Sequence, residues 1–459
     1  MKKPDLFRSI LAVAACKAAR GVLRLTGRGG TAAPGKAALF FARDILARTS
    51  EGMEIIVVTG TNGKTTTCRM LEHAMTKDGS PCLANKSGAN LLSGVTAEIS
   101  CNADWLGRPK TKRAVIECDE GALKQVVPLI HPKVIVVTNL FRDQLDRYGE
   151  ITHTRDAIRT GIEKVPESIL CLNADDSLVS SLAENVPNRV VWYGVNTPLG
   201  DQRDPEVSDA KYCIHCGTPY QYHYHTYAHL GDFYCPHCGY HRQAPEVALT
   251  KVEEMDATGT RAELSFGGRT HQVTVGLPAV YNLYNALAAA AAGTAFGLEE
   301  DGLLASLADV HSSFGRMETF RTGQALTQMI LVKNPAGCNQ ALSYVTGIQQ
   351  DKVLVLCLND RTADGHDISW IWDADYEKLA GDPHVVQWYV FGDRAEDMQL
   401  RLKYAGADPA KIQLLHNEEE ILKMAQASAL PVFILPNYTS MLSLRKVFSE
   451  ATGGSAFWK

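Results

Sequence analysis

The stretch Met53–Thr67, MEIIVVTGTNGKTTT, decides how the first half of the chain folds. It begins with a short β-branched run that is typical of a buried parallel strand and that ends at a glycine. A helix-like segment follows at once, so a glycine-rich turn joins the end of a strand to the beginning of a helix. Backbone N–H groups of such a turn, together with the helix N-terminus, bind phosphate groups. The stretch therefore predicts a nucleotide-binding loop.

Two side chains of this loop are of the types that phosphate chemistry requires. Lys64 would place a positive charge at the β- and γ-phosphates, and the hydroxyl of Thr65 would ligate Mg²⁺. The loop is shorter than the usual phosphate-binding motif, because Gly60 stands only three residues before Gly63. The predicted nucleotide-binding residues of the loop are Gly60, Thr61, Asn62, Gly63, Lys64, Thr65 and Thr66.

Strand-like runs alternate with helical segments downstream of this loop. They are AVIECD (Ala114–Asp119), KVIVVTNL (Lys133–Leu140) and SILCLNADD (Ser168–Asp176). Such alternation predicts a doubly wound α/β domain with parallel strands. A second set of strand-like runs begins near Phe314 and predicts a smaller C-terminal α/β domain. We expect a helical segment over 1–50, an ATP-binding domain over 51–312 and a C-terminal domain over 313–459.

The composition is that of an ordinary soluble globular protein and disfavours a nucleic-acid-binding surface. The 459 residues carry a net charge of −5, which argues against a broad basic surface for a phosphate backbone. Eight of the twelve cysteines are scattered, mostly in apolar contexts, as expected of buried thiols in a reducing cytosol. We therefore expect a cytoplasmic protein without a nucleic-acid partner.

The other four cysteines form two CxxC pairs with eighteen residues between them, Cys213 with Cys216 and Cys235 with Cys238. This spacing is typical of a closed tetrahedral site for Zn²⁺, although a rubredoxin-like iron uses the same ligand set. No lysine or arginine stands between the first and the last of these cysteines, so contacts to nucleic-acid phosphates are not expected. We predict a structural zinc ribbon, inserted over 211–243, whose metal has no open position for catalysis.

Residues 1–30 mix apolar and basic side chains without an uninterrupted apolar run. Asp5, Arg8, Lys17 and Arg20 interrupt the run, so neither a signal peptide nor a membrane-spanning segment is expected. The apolar residues that suit one face of a helix are Leu6, Ile10, Leu11, Val13 and Ala14. We expect this helix to pack on its own protein, with contact to an anionic membrane surface as the alternative.

The loop sequence GTNGKTT and several motifs downstream of it together resemble the Mur ligase family. AVIECDEGAL resembles the family's second-strand glutamate motif, and this resemblance implies that Glu117 binds Mg²⁺. TNLFRDQLDRYG, YNLYNALAA, FGRMETF and KNPAGCNQAL resemble later elements of the family in the same order. The resemblance implies that Asn282 and Asn285 lie near the adenine of ATP and that Arg316 contacts phosphate. The catalytic roles that the resemblance implies are charge stabilisation on the transferred phosphoryl oxygens by Lys64 and by the Mg²⁺ that Glu117 would bind.

Three positions depart from the family pattern. Tyr148 stands where the family has a histidine next to the metal, and Asn334 stands where it usually has an aspartate. A lysine that is carboxylated in several members would fall near Ile158 by simple counting. The resemblance therefore leaves open whether one Mg²⁺ is used or a second ion is held differently. It also leaves open an amino-acid-adding ligase of the muropeptide or folylpolyglutamate type, although the departures count against that activity.

The cysteine insertion and LNDRTADGHDISWIWDADYE (Leu358–Glu377) resemble one branch of the family, the synthetase subunits of lipid II isoglutaminyl synthase. This resemblance implies ATP-dependent amidation of the α-carboxylate of D-glutamate in the lipid II stem peptide, through an acyl phosphate. Neither Cys338 nor Cys357 stands in the sequence context of a glutaminase nucleophile, so ammonia would come from a GatD-type glutaminase subunit. The lipid-linked substrate would bring the protein to the inner face of the plasma membrane.

In that branch an aspartate of the synthetase completes the partner's Cys–His triad. We expect Asp367 in this role, because it leaves the ADG turn and precedes a rigid SWIW segment that could hold its carboxylate. Asp364 comes second, since an aspartate before glycine is also an ordinary turn residue, and Asp373 is the third candidate. Trp370 and Trp372 would be interface anchors or core residues, and we expect core. A nucleic-acid-dependent ATPase is the remaining alternative, which the net charge disfavours.

Overall fold

The computed structural model describes residues 5–25, 32–77, 79, 81–85, 89–143, 151–199, 209–256, 259–310 and 316–453. The chain forms two compact units, Met1–Phe141 with Ile151–Val310, and Arg142–Glu150 with His311–Lys459. The predicted boundary between residues 312 and 313, like Tyr148, lies outside the described residues. Among the described helices, none combines the length and the apolar character that a membrane crossing requires.

The first unit is built on a nine-stranded sheet. The strands of the unit are β1 (Glu54–Thr59), β2 (Cys82–Ala84), β3 (Arg113–Glu117), β4 (Val134–Val137), β5 (Ile169–Asn173), β6 (Val190–Val195), β7 (Gln221–Tyr227), β8 (Leu230–Tyr234), β9 (Val247–Met255), β10 (Thr260–Phe266) and β11 (Arg269–Val275). The order across the sheet is β11-β10-β9-β6-β5-β4-β1-β3-β2, and β7 and β8 form a separate hairpin. Parallel pairing of β1 with both β3 and β4 makes its carboxyl end the switch point at which open α/β sheets bind ligands.

The helices of the first unit cover the faces of this sheet or pack on the helices that do. They are α1 (Leu6–Leu25), α2 (Ala32–Phe41), α3 (Ile45–Thr49), α4 (Lys64–Lys77), α5 (Leu92–Asn102), α6 (Glu120–Ile130), α7 (Ile151–Ile162), α8 (Ser177–Ser180), α9 (Val280–Phe296) and α10 (Glu300–Ala308). Every residue of β4 is buried, as expected of a strand with helices on both faces. Ile55, Val57 and Ile135 belong to the core on one face. The alanine-rich α9 packs across β4, β5 and β6.

The N-terminal helices pack on one another and on α5. The buried residues of α1 are Ser9, Ala12, Val13 and Cys16. The predicted inward face is therefore wrong in part, because Leu6 is 49% exposed and Leu11 is 37% exposed. Small side chains face inward because these helices approach closely: a Cβ on Gly35 of α2 would lie 1.6 Å from the carbonyl oxygen of Ser93 in α5.

An antiparallel extension completes the first sheet. The segment TRAELSFGGRTHQVTVGL, which the sequence predicts as a hairpin, forms β10 and β11. Gly267 and Gly268 make its turn, with φ angles of 59° and 74°. A two-residue type I′ hairpin turn requires positive φ at both central residues, which glycine adopts readily. Strand β9 joins this extension to the parallel strands, since it pairs with β10 in antiparallel and with β6 in parallel orientation.

The second unit is a smaller α/β domain, as the sequence predicts. Its strands are β12 (Arg316–Arg321), β13 (Leu326–Ile330), β14 (Lys352–Cys357), β15 (Val385–Phe391), β16 (Ile412–Leu414) and β17 (Val432–Pro436), in the order β12-β13-β17-β14-β15-β16. Its helices are α11 (Pro335–Gly347), α12 (Tyr376–Ala380), α13 (Ala395–Tyr404), α14 (Glu418–Ala427) and α15 (Tyr438–Thr452). All strand pairs are parallel except β12 with β13.

Candidate nucleotide site and metal centre

The phosphate loop joins the carboxyl end of β1 to the first residue of α4, Lys64. Gly60 and Gly63 adopt φ angles of 117° and 87°, which only glycine adopts at little cost. A Cβ on Gly60 would lie 2.3 Å from Thr138 Oγ1, and one on Gly63 would lie 2.0 Å from Asn285 Oδ1. Gly60 is therefore required by conformation and by space, since the backbone of Thr138 and Asn139 also lies 2.9 Å from its Cβ position, whereas Gly63 is required by conformation.

The segment after β4 holds this loop in shape. The backbone N–H of Asn62 donates to Asn139 Oδ1 at 2.9 Å, and the hydroxyl of Thr138 donates to the Asn62 carbonyl at 2.7 Å. The backbone N–H of Phe141 donates to Thr61 Oγ1 at 3.0 Å. Hydrogen bonds from the segment after β4 thus fix the backbone of the loop at Thr61 and Asn62.

Lys64 is buried, and its ammonium is neutralised within the site. Nζ donates to Glu120 Oε1 at 2.9 Å and also to the carbonyl oxygens of Gly60 and Thr61. Burial alone would lower the pKa of Lys64, but the carboxylates of Glu120 and Glu117 outweigh it and raise the pKa. Lys64 is therefore charged and held at the loop by Glu120, a residue that the sequence analysis missed. The sequence does contain a signal for it, because two acidic residues, Asp119 and Glu120, stand shortly after the end of a buried strand.

Thr65 and Glu117 are in contact at the beginning of α4, next to the phosphate loop. The Thr65 hydroxyl donates to Glu117 Oε2 at 2.7 Å, and the side-chain amide of Asn90 donates to Glu117 Oε1 at 3.2 Å. Asn85 fixes the backbone of Glu117 by donating to its carbonyl and accepting from its N–H, each at 2.8 Å. A hydroxyl and a carboxylate in contact are hard oxygen donors, so this pair fits Mg²⁺.

The asparagines of α9 also lie at the loop. Asn285 donates to Asn282 Oδ1 at 3.1 Å, and its own Oδ1 faces Gly63. Both side chains are buried. Thr66 is buried in the first turn of α4. Arg316 begins β12 in the second unit, but its side chain lies outside the described residues.

The four cysteines of the inserted segment converge on one point. Their sulfur atoms all lie within 4.8 Å of one another, with 3.5 Å between Cys213 and Cys238 and 3.4 Å between Cys216 and Cys235. A tetrahedral metal with metal–sulfur bonds of about 2.3 Å requires sulfur–sulfur distances of about 3.8 Å. The cluster therefore fits a four-sulfur metal site, and four thiolates leave no open position on the metal.

The hairpin β7–β8 leads from this cluster to the main sheet. Tyr224 donates from its hydroxyl to the Val195 carbonyl at the end of β6, at 2.6 Å. The hydroxyls of Thr226 and Tyr284 lie 2.6 Å apart, and Tyr284 donates to Asp175 Oδ2 at 2.6 Å. Burial raises the pKa of Asp175 although Arg242 pairs with its other oxygen at 2.6 Å. The insertion is thus joined to the sheet by a buried polar network.

The tip of the same hairpin contacts the segment that supports the phosphate loop. The ring of Phe141 stacks on Tyr227 with 5.9 Å between centroids and lies 4.7 Å from the ring of His229. His229 is fully buried, and its Nε2 lies 3.5 Å from Asp176 Oδ1. Asp176 in turn accepts from the backbone N–H of Leu140 at 2.8 Å. The histidine- and tyrosine-rich part of the insertion therefore packs on protein.

The three candidate aspartates of the second unit differ in environment. Asp364 is buried and accepts from the backbone N–H and the hydroxyl of Thr439, at 2.8 and 2.5 Å, and burial raises its pKa. Asp367 is half-buried and accepts from the backbone N–H of Ser369 at 2.8 Å. Asp373 pairs with Arg142 at 3.1 Å.

The SWIW segment does not place all its tryptophans in the core. It forms a 3-10 helix over Ser369–Trp372. Trp372 is 49% exposed, with the Arg401 guanidinium 5.4 Å from its ring, so the expectation that it is a core residue is wrong. This helix of four residues is too short to bury both indoles, and its buried residue is Ile371.

Replacing Glu120 by glutamine should destabilise the nucleotide-free protein more than the ATP-bound protein. The substitution leaves a buried ammonium without its counter-charge, which typically costs about 3–5 kcal/mol. Phosphates would restore the negative charge, so the rise in Tm on adding Mg²⁺ and ATP should be larger than in the unaltered protein. Glu54→Gln is the control, because its pair with Lys133 is largely exposed. Equal ATP-induced shifts in the protein and in Glu120→Gln would contradict this assignment.

Loss of the metal site should weaken nucleotide binding as well as stability. Cys216→Ser removes one thiolate, and the loosened hairpin would no longer hold Phe141 against the loop. We expect a lower Tm, loss of bound metal by elemental analysis and about ten-fold weaker ATP binding by calorimetry, which is within the range typical of energetic coupling between two sites. Cys82→Ser is the control, since this half-buried thiol lies outside the cluster. If the metal-free protein binds ATP with unchanged affinity, the four-cysteine insertion does not support the phosphate loop.

Comparison with known proteins agrees with this geometry. The family model for the Mur ligase middle domain matches residues 58–234, and the model for the MurT ligase C-terminal domain matches residues 331–441. The fold is similar to that of a pseudomurein peptide ligase type C from Methanothermus fervidus, with a TM-score of 0.65, 20% identity and coverage of 89% of this chain and 80% of that one.

Two curated relatives are similar over nearly their whole length. Both are named lipid II isoglutaminyl synthase (glutamine-hydrolyzing) subunit MurT. The protein of Streptococcus pneumoniae R6 is 34% identical over 96% of this chain and 97% of its own. The protein of Staphylococcus aureus COL is 34% identical over 97% of this chain and 99% of its own. The resemblance to the Mur ligases is thereby confirmed, and the chain belongs to the MurT family of these ligases.

Proposed function

We propose that this protein amidates the α-carboxylate of D-glutamate in the lipid II stem peptide, using ATP, to give D-isoglutamine. The observation that carries the proposal is the nearly full-length similarity to subunits named for this reaction. The buried loop with Lys64, Thr65 and Glu117 supplies a site of the right chemistry for ATP. The reaction belongs to peptidoglycan synthesis.

The first step transfers a phosphoryl group to the substrate. A carboxylate oxygen of D-glutamate bonds to the γ-phosphorus while the bond to the β–γ bridging oxygen breaks, and ADP leaves. Lys64 stabilises the charge on the phosphoryl oxygens, because its ammonium can exchange Glu120 for phosphate without leaving the loop. Mg²⁺, when held by Thr65 and Glu117, adds positive charge at the same oxygens. We assign Asn282 and Asn285 to the adenine side of the nucleotide, and the position of Asn285 Oδ1 next to Gly63 supports a place at the loop.

The second step replaces phosphate by nitrogen. Ammonia attacks the acyl carbon, the carbon–oxygen bond to phosphate breaks, and one proton is lost as the amide forms. Neither Cys338 nor Cys357 suits glutamine hydrolysis, because both are buried and burial raises the pKa of each thiol, that of Cys338 to about 12. We therefore assign ammonia supply to a GatD-type glutaminase subunit in a heterodimer.

Asp367 is the residue that we assign to the partner's triad. Asp364 already accepts two hydrogen bonds from Thr439 and is buried, so its carboxylate holds its own domain together. Asp373 pairs with Arg142. One carboxylate oxygen of Asp367 accepts a hydrogen bond from the backbone N–H of Ser369, which orients the carboxylate. The other oxygen would accept a hydrogen bond from a histidine of the partner.

The metal that we propose for the four-cysteine cluster is Zn²⁺ in a structural role. Its sulfur-only ligand set and the absence of an open position suit stabilisation of a small insertion. Iron has the same ligand preference, and elemental analysis of protein purified without added metal separates the two.

The proposed activity is tested with purified protein, Mg²⁺, ATP, ammonium and lipid II, without a glutaminase. We expect ADP release that depends on lipid II and a product whose mass reflects replacement of one carboxyl OH by NH₂. Lys64→Met should lower the rate at least 100-fold, because a phosphate-contacting charge is lost. A product that gains the mass of an amino acid would instead identify an amino-acid-adding ligase. Stimulation of ATP hydrolysis by DNA or RNA would identify a nucleic-acid-dependent ATPase.

The role of Asp367 is tested by comparing two nitrogen sources in the complex with the glutaminase. Asp367→Asn should lower glutamine-dependent amidation about 100-fold or more and leave ammonia-dependent amidation unchanged, since an asparagine cannot stabilise the partner's imidazolium. Asp364→Asn is the matched control and should lower the Tm while sparing glutamine use. The reverse pattern would transfer the assignment to Asp364.

A further inference from the structure

The helix α1 has a second apolar face, which points away from the protein. Its outward row is spaced by three or four residues, and no charged residue interrupts it. The row consists of Phe7, Leu11, Ala14, Ala18, Val22 and Leu25. Phe7 is 69% exposed, Val22 60% and Leu25 89%, so the large members of this row are in solvent.

This outward face is not needed for packing within the unit. The opposite side of α1 already contributes Ala12, Val13 and Cys16 to a cluster with Ala38 and Ala97. A surface helix of a soluble protein normally has one apolar stripe and a polar opposite face. The second stripe therefore requires a different explanation from the first.

The charge around this helix is strongly asymmetric. Residues 1–50 contain ten of the chain's 46 lysines and arginines but only two of its 51 aspartates and glutamates. The remainder of the chain is correspondingly acidic. On α1 itself Arg8 and Arg24 are exposed on the flanks of the outward row, and Lys36 is exposed on α2. The apolar row is thus bordered by positive charge within a protein of negative net charge.

Large aromatic side chains lie exposed nearby. Trp105 is 62% exposed, and the ammonium of Lys17 on α1 lies 4.6 Å from its ring, so this indole is next to the helix. Phe40 of α2 is 83% exposed. Tryptophan and phenylalanine next to basic residues are typical of helices that lie in the interface of a membrane.

We propose that the outward face of α1 is a docking surface for an anionic lipid bilayer, with the helix lying in the plane of the headgroups. Apolar burial would supply affinity, and the flanking arginines would select anionic lipid. A second copy of this chain is a poorer occupant, because it would bring the same excess of positive charge to the contact. The inference does not require the proposed amidation, but it would hold the ATP-binding unit beside a lipid-linked substrate.

The test uses the full-length protein and vesicles without lipid II, so that its outcome is independent of catalysis. We expect co-sedimentation with vesicles of phosphatidylglycerol and phosphatidylcholine, and at least ten-fold weaker binding to phosphatidylcholine alone. Replacing Phe7, Val22 and Leu25 by serine should weaken binding to anionic vesicles at least ten-fold. Leu326→Ser with Leu400→Ser is the control, since these leucines of the second unit are 49% and 45% exposed.

A second pair of variants keeps the test decisive if the triple variant folds poorly. Arg8→Gln and Arg24→Gln should each weaken binding about five-fold at low salt and reduce its salt dependence. Equal binding to neutral and anionic vesicles, or no binding to either, would overturn the proposal. A dimer that light scattering detects and that the triple serine variant abolishes would also overturn the proposal, because the outward face of α1 would then bind a second copy. If the triple serine variant no longer co-elutes with the glutaminase, the outward face of α1 binds that partner instead, and the proposal is overturned.

Discussion

The first unit depends on one buried positive charge, the ammonium of Lys64. A buried charge is tolerated only when it is paired and hydrogen-bonded, and Glu120 provides the pair while the loop carbonyls of Gly60 and Thr61 provide the bonds. These contacts draw the loop around the lysine. A triphosphate that binds here, as proposed, would replace the Glu120 carboxylate at an ammonium that the loop carbonyls hold, which limits the reorganisation that binding requires.

The ends of the parallel strands supply both the site and its support. At the end of β3, Glu117 faces Thr65, while Glu120 in the next helix faces Lys64. After β5, Asp175 and Asp176 accept hydrogen bonds from the inserted segment and from the loop after β4. Carboxylates gather at this edge because the strands run in one direction, so one edge of the sheet holds both the chemistry and the residues that stabilise it.

Local patterns in the sequence predict most of this arrangement. The strand, loop and helix around Gly60–Lys64 and the hairpin at Gly267–Gly268 each depend on residues close in sequence. The contact of His229 with Phe141 depends on two segments that are far apart, and spacing along the chain contains no information about it. The inward face of α1 was misassigned for a related reason. Periodicity shows that a helix has apolar rows, but it cannot show which of two rows the neighbouring helices cover.

The position of the four-cysteine cluster in the topology offers a reason why this unit contains it. Strands β6 and β9 are parallel neighbours, so the chain between them must cross over the sheet, and a helix usually makes that connection. Here the described part of the connection is the cysteine-bearing hairpin instead. Its own core is very small, formed by Cys213, Tyr220, Phe233 and Cys235, and such a core does not fold unaided.

A metal bound by four thiolates can supply the missing stability of this connection. The hairpin then offers what a plain helix would not, a rigid aromatic tip that packs on Phe141 beside the phosphate loop. The cluster contributes no reactive ligand position and has no basic surface for nucleic acid. We therefore propose that its contribution to catalysis is structural: it would fix the crossover, and the crossover packs on the segment that supports the loop.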